Sequence, residues 1–472
     1  MPPPLTDASQ GDTQPAGPRK RVLLVMIQPP GCSGVQGLIY KKLLPFYHLH
    51  GWEVHFAGPA PWLCSVLSEP LDYPRERLHY TTRVSLSRQC SIRKNRHPKG
   101  SLPHLVHGGL QLLARSLERL LGHDSGAYTL QGLADTVRQA DRRWSFDLIG
   151  GKSPDFEVLA LTQQLCQELG KPFLALMDDP HGARDEQGFY PTTPERQRTI
   201  LAAARGTLFM SPLTRERYVR AGLVEAHKAH FISDSYPVQE ELYARGRSAL
   251  APATGTRPRP LQLVHLGMLP EWRPIEPLLE ALRACAHQDG PRNPTIQLAI
   301  HGFVYAQARE RIRCDPRLAA MIQLRPLVDY TTSHWLAEDA DVQLVVIGPR
   351  HLDNYPSKFF DYLAHRKPLL ILGPPQNPLR QIVDTLRIGI YVDGRRSEAI
   401  VAALDTLRRD TATFQQAYIT HAEAIAAFSA PQVAQTFCGL LDQALAAAPE
   451  AGGQPESDGG QPERDASPRA VG

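Results

Sequence analysis

Long apolar runs and localised charge are both missing from this sequence of 472 residues. No stretch of about 18 uncharged apolar residues occurs, so we expect no membrane-spanning helix. Residues 1–21 are rich in Pro, Gly and Gln and have no apolar centre, which argues against a signal peptide. The 52 basic and 48 acidic residues are interleaved and leave a net charge of only +4, which argues against a nucleic-acid partner.

Cysteines are few, odd in number and scattered. No C-x-x-C pair or Cys/His cluster occurs, which argues against a disulfide framework and a structural zinc site. The pattern favours reduced thiols, and we therefore expect a cytoplasmic protein. The seven cysteines are Cys32, Cys64, Cys90, Cys166, Cys285, Cys314 and Cys438.

The length suits two domains of roughly 200 residues each. Pro-, Gly- and polar-rich stretches mark disordered tails and a linker between the domains. The predicted organisation is a tail at 1–18, an N-terminal domain at 19–245, a linker at 246–260, a C-terminal domain at 261–415, C-terminal helices at 416–448 and a tail at 449–472. The C-terminal helices are candidates to cross back to the N-terminal domain.

Short apolar runs alternate with helical stretches on both sides of the linker. Continuous apolar runs are typical of parallel strands buried on both faces. The predicted strands are 22–28, 53–57, 147–150, 172–177, 207–211, 261–267, 296–300, 342–348, 368–372 and 389–392. The alternation predicts two Rossmann-like doubly wound α/β domains, whose ligands bind at the carboxyl ends of the strands.

A glycine-rich turn, 29–37, follows the first predicted strand. Its spacing is G-x-x-G-x-x-G, whereas a dinucleotide fingerprint needs G-x-G-x-x-G and an acid at the end of the second strand. Gly34 is a candidate donor contact, because glycine lets the backbone approach a ligand at a helix N-terminus. The alternative is a loop shaped only by the geometry of the sheet.

The segment Asp178-Asp179-Pro180-His181-Gly182 directly follows the predicted strand 172–177. Either aspartate can act as a general base towards an acceptor hydroxyl, and His181 can hydrogen-bond a sugar hydroxyl. The alternative is an ordinary turn, because Asp-Pro and His-Gly often occur in loops.

A second segment with candidate functional residues, 353–368, follows the predicted strand 342–348 and leads into the predicted strand 368–372. It reads DNYPSKFFDYLAHRKP. Ser357 is predicted to cap a helix at 357–364, with Phe360 and Leu363 facing inward. The first amides of that helix and the Lys358 ammonium group can hold a diphosphate. The Asp361 carboxylate, one turn further on, can accept the hydroxyls of a ribose.

This segment resembles the E-x7-E motif of the family-four (retaining) glycosyltransferases, with Asp353 and Asp361 in place of the glutamates. The family's glycine-rich stretch between the acids is Tyr-Pro-Ser-Lys here. The segments His265–Met268 and Trp272–Pro274 are similar to the family's opening of the C-terminal domain, with Met268 in place of the usual first arginine. The resemblance covers most of residues 20–445 and is stronger in the C-terminal half.

The resemblance implies a GT-B fold, in which two Rossmann-like domains face an interdomain cleft, and no metal or other cofactor. It implies that Asp361 binds the ribose, that Asp353 lies near the sugar hydroxyls and that Ser357 and Lys358 lie near the diphosphate. Gly267 and Arg273 complete the donor-binding set. The D-x-D sequence at 339–341 ends a predicted helix, and we interpret it as structural rather than metal-binding.

An insertion at about 73–144 combines basic residues at 83–99 with leucines at helical spacing in 102–121. One interpretation is contact with the inner membrane surface or a lipid-linked acceptor. The other is an ordinary helix whose leucines face the core.

These features predict a glycosyltransferase that moves a sugar from a nucleoside-diphosphate sugar to a saccharide or lipid-linked acceptor, in cell-envelope or exported polysaccharide synthesis. Asp178, Asp179, His181 and Asp353 are the candidate catalytic residues. A nucleotide-sugar epimerase and a non-catalytic relative of the same fold are the alternatives. The stereochemical course stays open at this stage.

Overall fold

The computed structural model describes residues 19–447, apart from a set of short gaps and two longer ones. The gaps are 33, 64–69, 96, 98–99, 122–124, 154–155, 179–192, 239–258, 290–294, 350–351 and 354. The predicted tails, most of the predicted linker, Asp179 and His181 therefore lie outside the described residues.

The first half of the chain forms a sheet of seven parallel strands in the order β3-β2-β1-β4-β5-β6-β7. Its central strands are buried on both faces, because their sequences are continuous apolar runs. The strands are β1 (Lys20–Val25), β2 (Trp52–Pro59), β3 (Leu78–Thr81), β4 (Leu148–Lys152), β5 (Phe173–Met177), β6 (Gly206–Phe209) and β7 (Ala229–Phe231).

The second half forms a sheet of six parallel strands in the order β10-β9-β8-β11-β12-β13. The strands are β8 (Leu261–Leu266), β9 (Ile296–His301), β10 (Ile322–Arg325), β11 (Val342–Val346), β12 (Leu369–Gly373) and β13 (Gly389–Asp393). In both sheets the chain runs to one edge and then returns to the other side of the first strand. The strand order therefore reverses between β1 and β4 and between β8 and β11, as in doubly wound folds.

Helices cover both faces of each sheet. They are α1 (Val35–Leu43), α2 (Leu86–Asn95), α3 (Leu102–Leu120), α4 (Ser125–Trp144), α5 (Phe156–Leu169), α6 (Pro194–Ala202), α7 (Pro212–Arg220), α8 (Glu276–Asp289), α9 (Ala306–Cys314), α10 (Pro316–Met321), α11 (Tyr330–Asp339), α12 (Ser357–Leu363), α13 (Leu379–Leu386), α14 (Ser397–Thr420), α15 (Ala422–Ala426) and α16 (Ala430–Ala446). No helix of the described residues is both long and apolar enough to cross a membrane.

The last helix, α16, packs on the first sheet rather than the second. Phe437 contacts the rings of Tyr40 and Tyr47, at centroid distances of 6.0 and 5.9 Å. Lys20 Nζ, at the start of β1, lies 2.6 Å from Asp442 Oδ1. The core of the first half is therefore built from both ends of the described chain.

The extent of the predicted insertion, about 73–144, is narrowed by the structure. Strand β3 pairs in parallel with β2, and α4 packs its apolar side on β2, β3 and α5. Both belong to the regular strand–helix alternation. Among the described residues of this segment, α2 and α3 are the helices that lie outside that alternation.

One cysteine departs from the expectation of reduced thiols. Cys32, in the loop after β1, is disulfide-bonded. Cys90, Cys166, Cys285, Cys314 and Cys438 are free thiols. The scatter of cysteines along the sequence could not indicate this bond, because pairing depends on which loops the fold brings together.

Candidate functional site

The carboxyl ends of the two sheets meet, and side chains from one half contact side chains from the other. Thr214 Oγ1, on α7, donates to Asp353 Oδ2 at 3.1 Å. Lys42 Nζ, on α1, donates to Asp361 Oδ1 on α12 at 3.0 Å. Because ligands of doubly wound sheets bind where the strand order reverses, the cleft between the halves is the candidate site.

Lys42 is the centre of a buried ion-pair cluster in this cleft. Its Nζ lies 2.7 Å from Asp234 Oδ1, and the side chains of Lys42 and Asp234 are each only 2% exposed. It also donates to the carbonyl oxygen of Ser235 at 2.6 Å. Burial alone would lower the pKa of Lys42, but the Asp234 and Asp361 carboxylates outweigh it and the pKa is raised. Lys42 is therefore a fixed cation that ties α1 to α12.

Asp361 stands on α12 with one carboxylate oxygen engaged. Its Oδ1 accepts hydrogen bonds from Lys42 and from Tyr330 Oη, the latter at 3.0 Å. Within the described residues, no protein donor reaches Oδ2. Protein groups thus hold one carboxylate oxygen of Asp361, the residue predicted to bind the ribose. The other oxygen faces no donor among the described residues.

The prediction that Ser357 caps this helix is wrong. The structure has Pro356 in the cap position, with extended backbone, and Ser357 is the first residue of α12. The fixed φ of proline suits a helix start. The Ser357 hydroxyl donates instead to Asp234 across the cleft. Phe360 and Leu363 are buried, which confirms the predicted inward face.

Lys358, Gly267 and Arg273 form a cationic pocket after β8. Gly267 has φ +115°, and a Cβ built there would lie 2.7 Å from Lys358 Nζ. No ion pair of Lys358 is found in the described part of the chain. Burial and then the positive charge of Arg273 lower the pKa of Lys358 to about 8, and the Asp361 carboxylate offsets only part of this effect. Two neighbouring cations make a site for an anion.

Asp353 is held by the opposite half of the molecule. Its Oδ2 accepts from Thr214 and forms an ion pair with Arg217, also on α7. The carboxylate is largely buried as a result. The structure thus brings Asp353 to the cleft, where its predicted contact with sugar hydroxyls stays a prediction.

Asp178 follows β5 and forms an ion pair with Lys152, the last residue of β4. Its backbone N–H donates to Ser153 Oγ at 2.9 Å. Lys152 Nζ also lies 4.9 Å from the centroid of the Tyr40 ring. Burial would lower the pKa of Lys152, but the interactions with Asp178 and Tyr40 together outweigh it, so the pKa is raised. The carboxyl ends of β4 and β5 therefore carry a fixed charge pair.

Gly34 lies where the turn after β1 meets α1, with extended backbone. A Cβ at this position would overlap the side-chain amide of Gln28. This close approach within the loop agrees with the alternative that sheet geometry shapes the turn. Its contact with a donor stays a prediction.

Several cleft residues were not found from the sequence: Lys42, Lys152, Thr214, Arg217, Asp234 and Tyr330. A second group, behind Asp361, links His334 Nδ1 to His365 Nε2 at 3.0 Å and His365 Nδ1 to Glu338 Oε2 at 3.0 Å. The pKa of His334 is held well below its usual value, mainly by burial and next by the neighbouring His365. None of these residues belongs to a sequence motif. Lys152 has a local signal, because it is a charged residue at the end of the apolar strand β4.

Two other features lie at the amino ends of the strands, on the side of the sheets away from the cleft. Asp341, in the D-x-D sequence, accepts from the Gln262 backbone N–H at 2.9 Å and pairs with Arg259 before β8 and β11 begin. A pocket of about 400 Å³ is lined by Cys166, Lys171, Phe173 and Arg205 at the amino ends of β5 and β6. Both are remote from the strand ends that carry the cleft residues.

No family model matches the chain, and no curated protein matches it. Solved structures do resemble it. HepE from Anabaena in complex with UDP has a TM-score of 0.58 at 15% identity, with 90% of this chain and 99% of that chain covered. Sucrose-phosphate synthase from Thermosynechococcus elongatus has a TM-score of 0.61 at 16% identity, with 91% and 100% covered.

A candidate UDP-N-acetylglucosamine 2-epimerase from Listeria monocytogenes also resembles the chain, with a TM-score of 0.52 at 10% identity and 90% and 96% of the two chains covered. At such identities the similarity shows the fold alone. The chain has the GT-B fold, with two Rossmann-like domains that face an interdomain cleft. This confirms the predicted fold class.

Proposed function

We propose that this protein is a glycosyltransferase that moves a sugar from a nucleoside-diphosphate sugar to an acceptor hydroxyl. The observation that carries the proposal is the cationic pocket of Lys358, Arg273 and Gly267 beside Asp361, at the point where the strand order of the second sheet reverses. HepE, which resembles this chain in fold, was solved in complex with UDP.

In this proposal the pocket binds the diphosphate of the donor. Negative charge develops on the leaving diphosphate as the glycosidic bond breaks, and a pair of neighbouring cations stabilises that charge more than it stabilises the neutral sugar. Lys358 and Arg273 supply these charges, and Gly267 leaves room for Lys358. Asp361 accepts a ribose hydroxyl on Oδ2, while Lys42 and Tyr330 hold Oδ1.

The acceptor is expected at the first sheet, where Asp178, Asp179 and His181 follow β5. Lys152 holds Asp178 Oδ1 and so orients this carboxylate, which is a candidate general base. Asp353 is proposed to contact the transferred sugar from the second half. We expect no metal or other cofactor, with the two cations supplying the charge stabilisation.

Nucleotide binding is the first experiment. Thermal-shift measurements with UDP, GDP, ADP, CMP and NAD test which ligand binds the folded protein, because such a ligand raises the melting temperature. We expect a shift with one nucleoside diphosphate. Asp361→Asn should weaken its affinity about tenfold or more, because a hydrogen bond to a charged group contributes about 1.5–3 kcal/mol. A shift with NAD alone would contradict the proposal.

The matched control is Asp393→Asn at the end of β13, whose carboxylate pairs with the exposed Arg395. It removes the same charge and should leave nucleotide affinity unchanged. Equal affinity of Asp361→Asn and the unchanged protein would show that the ribose lies elsewhere. Turnover of the donor then separates the alternatives: an epimerase alters the sugar without an acceptor, and a non-catalytic relative does not consume it.

A further inference from the structure

Helix α3 turns its apolar side to solvent. Six residues spaced three or four apart form one stripe along it, here called the leucine face: Leu102, Val106, Leu110, Leu113, Leu117 and Leu120. They are exposed by 75%, 51%, 46%, 58%, 46% and 82% respectively. A helix of 19 residues is about 28 Å long, so the stripe is long and continuous.

The opposite side of α3 faces the protein and is polar or small. Gln111 and Ala114 are buried. Lys94 Nζ, on α2, donates to Gln111 Oε1 at 2.8 Å, and Glu118 Oε1 accepts from the Ser87 backbone N–H at 3.0 Å. This is the reverse of the usual arrangement, in which an amphipathic helix buries its apolar side. It corrects the interpretation that these leucines face the core.

The segment that carries the leucine face is strongly basic. Residues 83–121 contain eight Lys and Arg and one acid, Glu118. Arg88, Arg93, Arg115 and Arg119 have no carboxylate partner in the part of the chain that the structure describes. An exposed apolar stripe on a segment with unpaired cations is complementary to a surface with an apolar interior and anionic head groups.

We propose that the leucine face docks on the surface of an anionic lipid bilayer, with α3 parallel to the membrane and its leucines among the acyl chains. Docking against a second copy of the chain is disfavoured by charge, because it would bring together two segments that each carry eight basic residues and one acid.

The location of the helix pair supports this orientation. Helix α2 packs on the turn Pro61–Leu63, which follows the carboxyl end of β2. The leucine face therefore lies beside the end of the first sheet that carries Asp178. If the proposed function is right, docking brings the acceptor half to the bilayer and favours a lipid-linked acceptor; the docking itself does not rest on that function.

Vesicle co-sedimentation of the full chain tests the proposal, with vesicles of phosphatidylcholine alone and vesicles containing roughly a third phosphatidylglycerol. We expect sedimentation with the anionic vesicles, less with the neutral ones, and release by salt. Replacing Leu110, Leu113 and Leu117 together by Gln should weaken binding about tenfold or more, because buried apolar area drives insertion. The control is Ile419→Gln, on α14, where the side chain is 65% exposed.

The leucine variant should keep its melting temperature and its nucleotide binding, because the three side chains are exposed and remote from the cationic pocket. Should it fail to fold, Arg115→Gln with Arg119→Gln offers a second test, with weaker anionic-vesicle binding expected. The proposal is overturned if the unchanged protein does not sediment with anionic vesicles. It is also overturned if the leucine variant and the arginine variant bind these vesicles as well as the unchanged protein does. A dimer that the leucine variant abolishes, without vesicle binding, overturns it in favour of a second copy.

Discussion

At the residue scale, three lysines of the cleft differ in what neutralises them. Lys42 and Lys152 are buried and each lies against a carboxylate, Asp234 and Asp178. Lys358 has no such partner among the described residues. Because an unpaired cation in a poorly solvated site costs free energy, its presence indicates a ligand that supplies the missing negative charge.

The pKa of Lys358, about 8, predicts how nucleotide affinity depends on pH. A lysine is a cation below its pKa, so below pH 8 the pocket already carries the charge that a diphosphate needs. Above it, binding must be accompanied by proton uptake, and affinity falls. Between pH 7 and pH 9 we expect roughly a tenfold loss in nucleoside-diphosphate affinity by calorimetry.

Lys358→Arg is the matched control, because the guanidinium stays charged over this range. Its affinity should be weaker or similar at pH 7, yet nearly constant up to pH 9. A variant that shows the same loss as the unchanged protein would place the titrating group elsewhere.

At the element scale, the turn after β8 is shaped by two close approaches. Gly267 has φ +115°, and its backbone carbonyl lies against Gly302 at the end of β9. The Lys358 side chain, arriving from α12, fills the space where a Cβ on Gly267 would stand. The turn and the helix therefore form one unit.

Gly267→Ala should disturb this unit. Alanine is strained at a positive φ, by about 1–3 kcal/mol, and its methyl group would displace the Lys358 ammonium. We expect a lower melting temperature together with weaker nucleotide binding. Gly439→Ala, in α16, is the opposite case: no atom lies within 4 Å of its Cβ position. It should raise stability by about 0.5–1 kcal/mol and leave binding unaltered. Unchanged binding by Gly267→Ala would remove the turn from the donor site.

Ten of the thirteen strands that the structure describes were predicted, because strands buried on both faces are apolar throughout. The strands that the sequence did not indicate, β3, β7 and β10, are short and partly exposed, so they carry no continuous apolar run. The period of α3 identified an amphipathic helix but could not tell which side faces water. Likewise, the carboxylate partners of Lys42 and Lys152 are decided by the packing of distant segments.

At the scale of the whole molecule, the first core includes α16. Phe437 is buried among Tyr40, Tyr47 and the residues of β1 and β2. Tyr40 in turn lies over the Lys152 ammonium, so the helix also supports the side of the cleft formed by the first sheet.

Phe437→Ala should lower the free energy of unfolding by about 3–5 kcal/mol, because truncating a buried aromatic ring leaves a cavity. Denaturant unfolding measures it. Ile419→Ala, on the exposed side of α14, should change it by no more than about 0.5 kcal/mol. A loss of equal size in both variants, or none in Phe437→Ala, would mean that α16 contributes little to the core.

The return of α16 to β1 also has a consequence for synthesis on the ribosome. Domains generally fold in the order in which they emerge. Here the second sheet and its helices come from one continuous stretch, whereas the first sheet must wait for residues 430–446 before one of its faces is covered. Translation thus leaves the N-terminal half unfinished until near its end. A nascent chain stalled after β13 should present that uncovered face to chaperones.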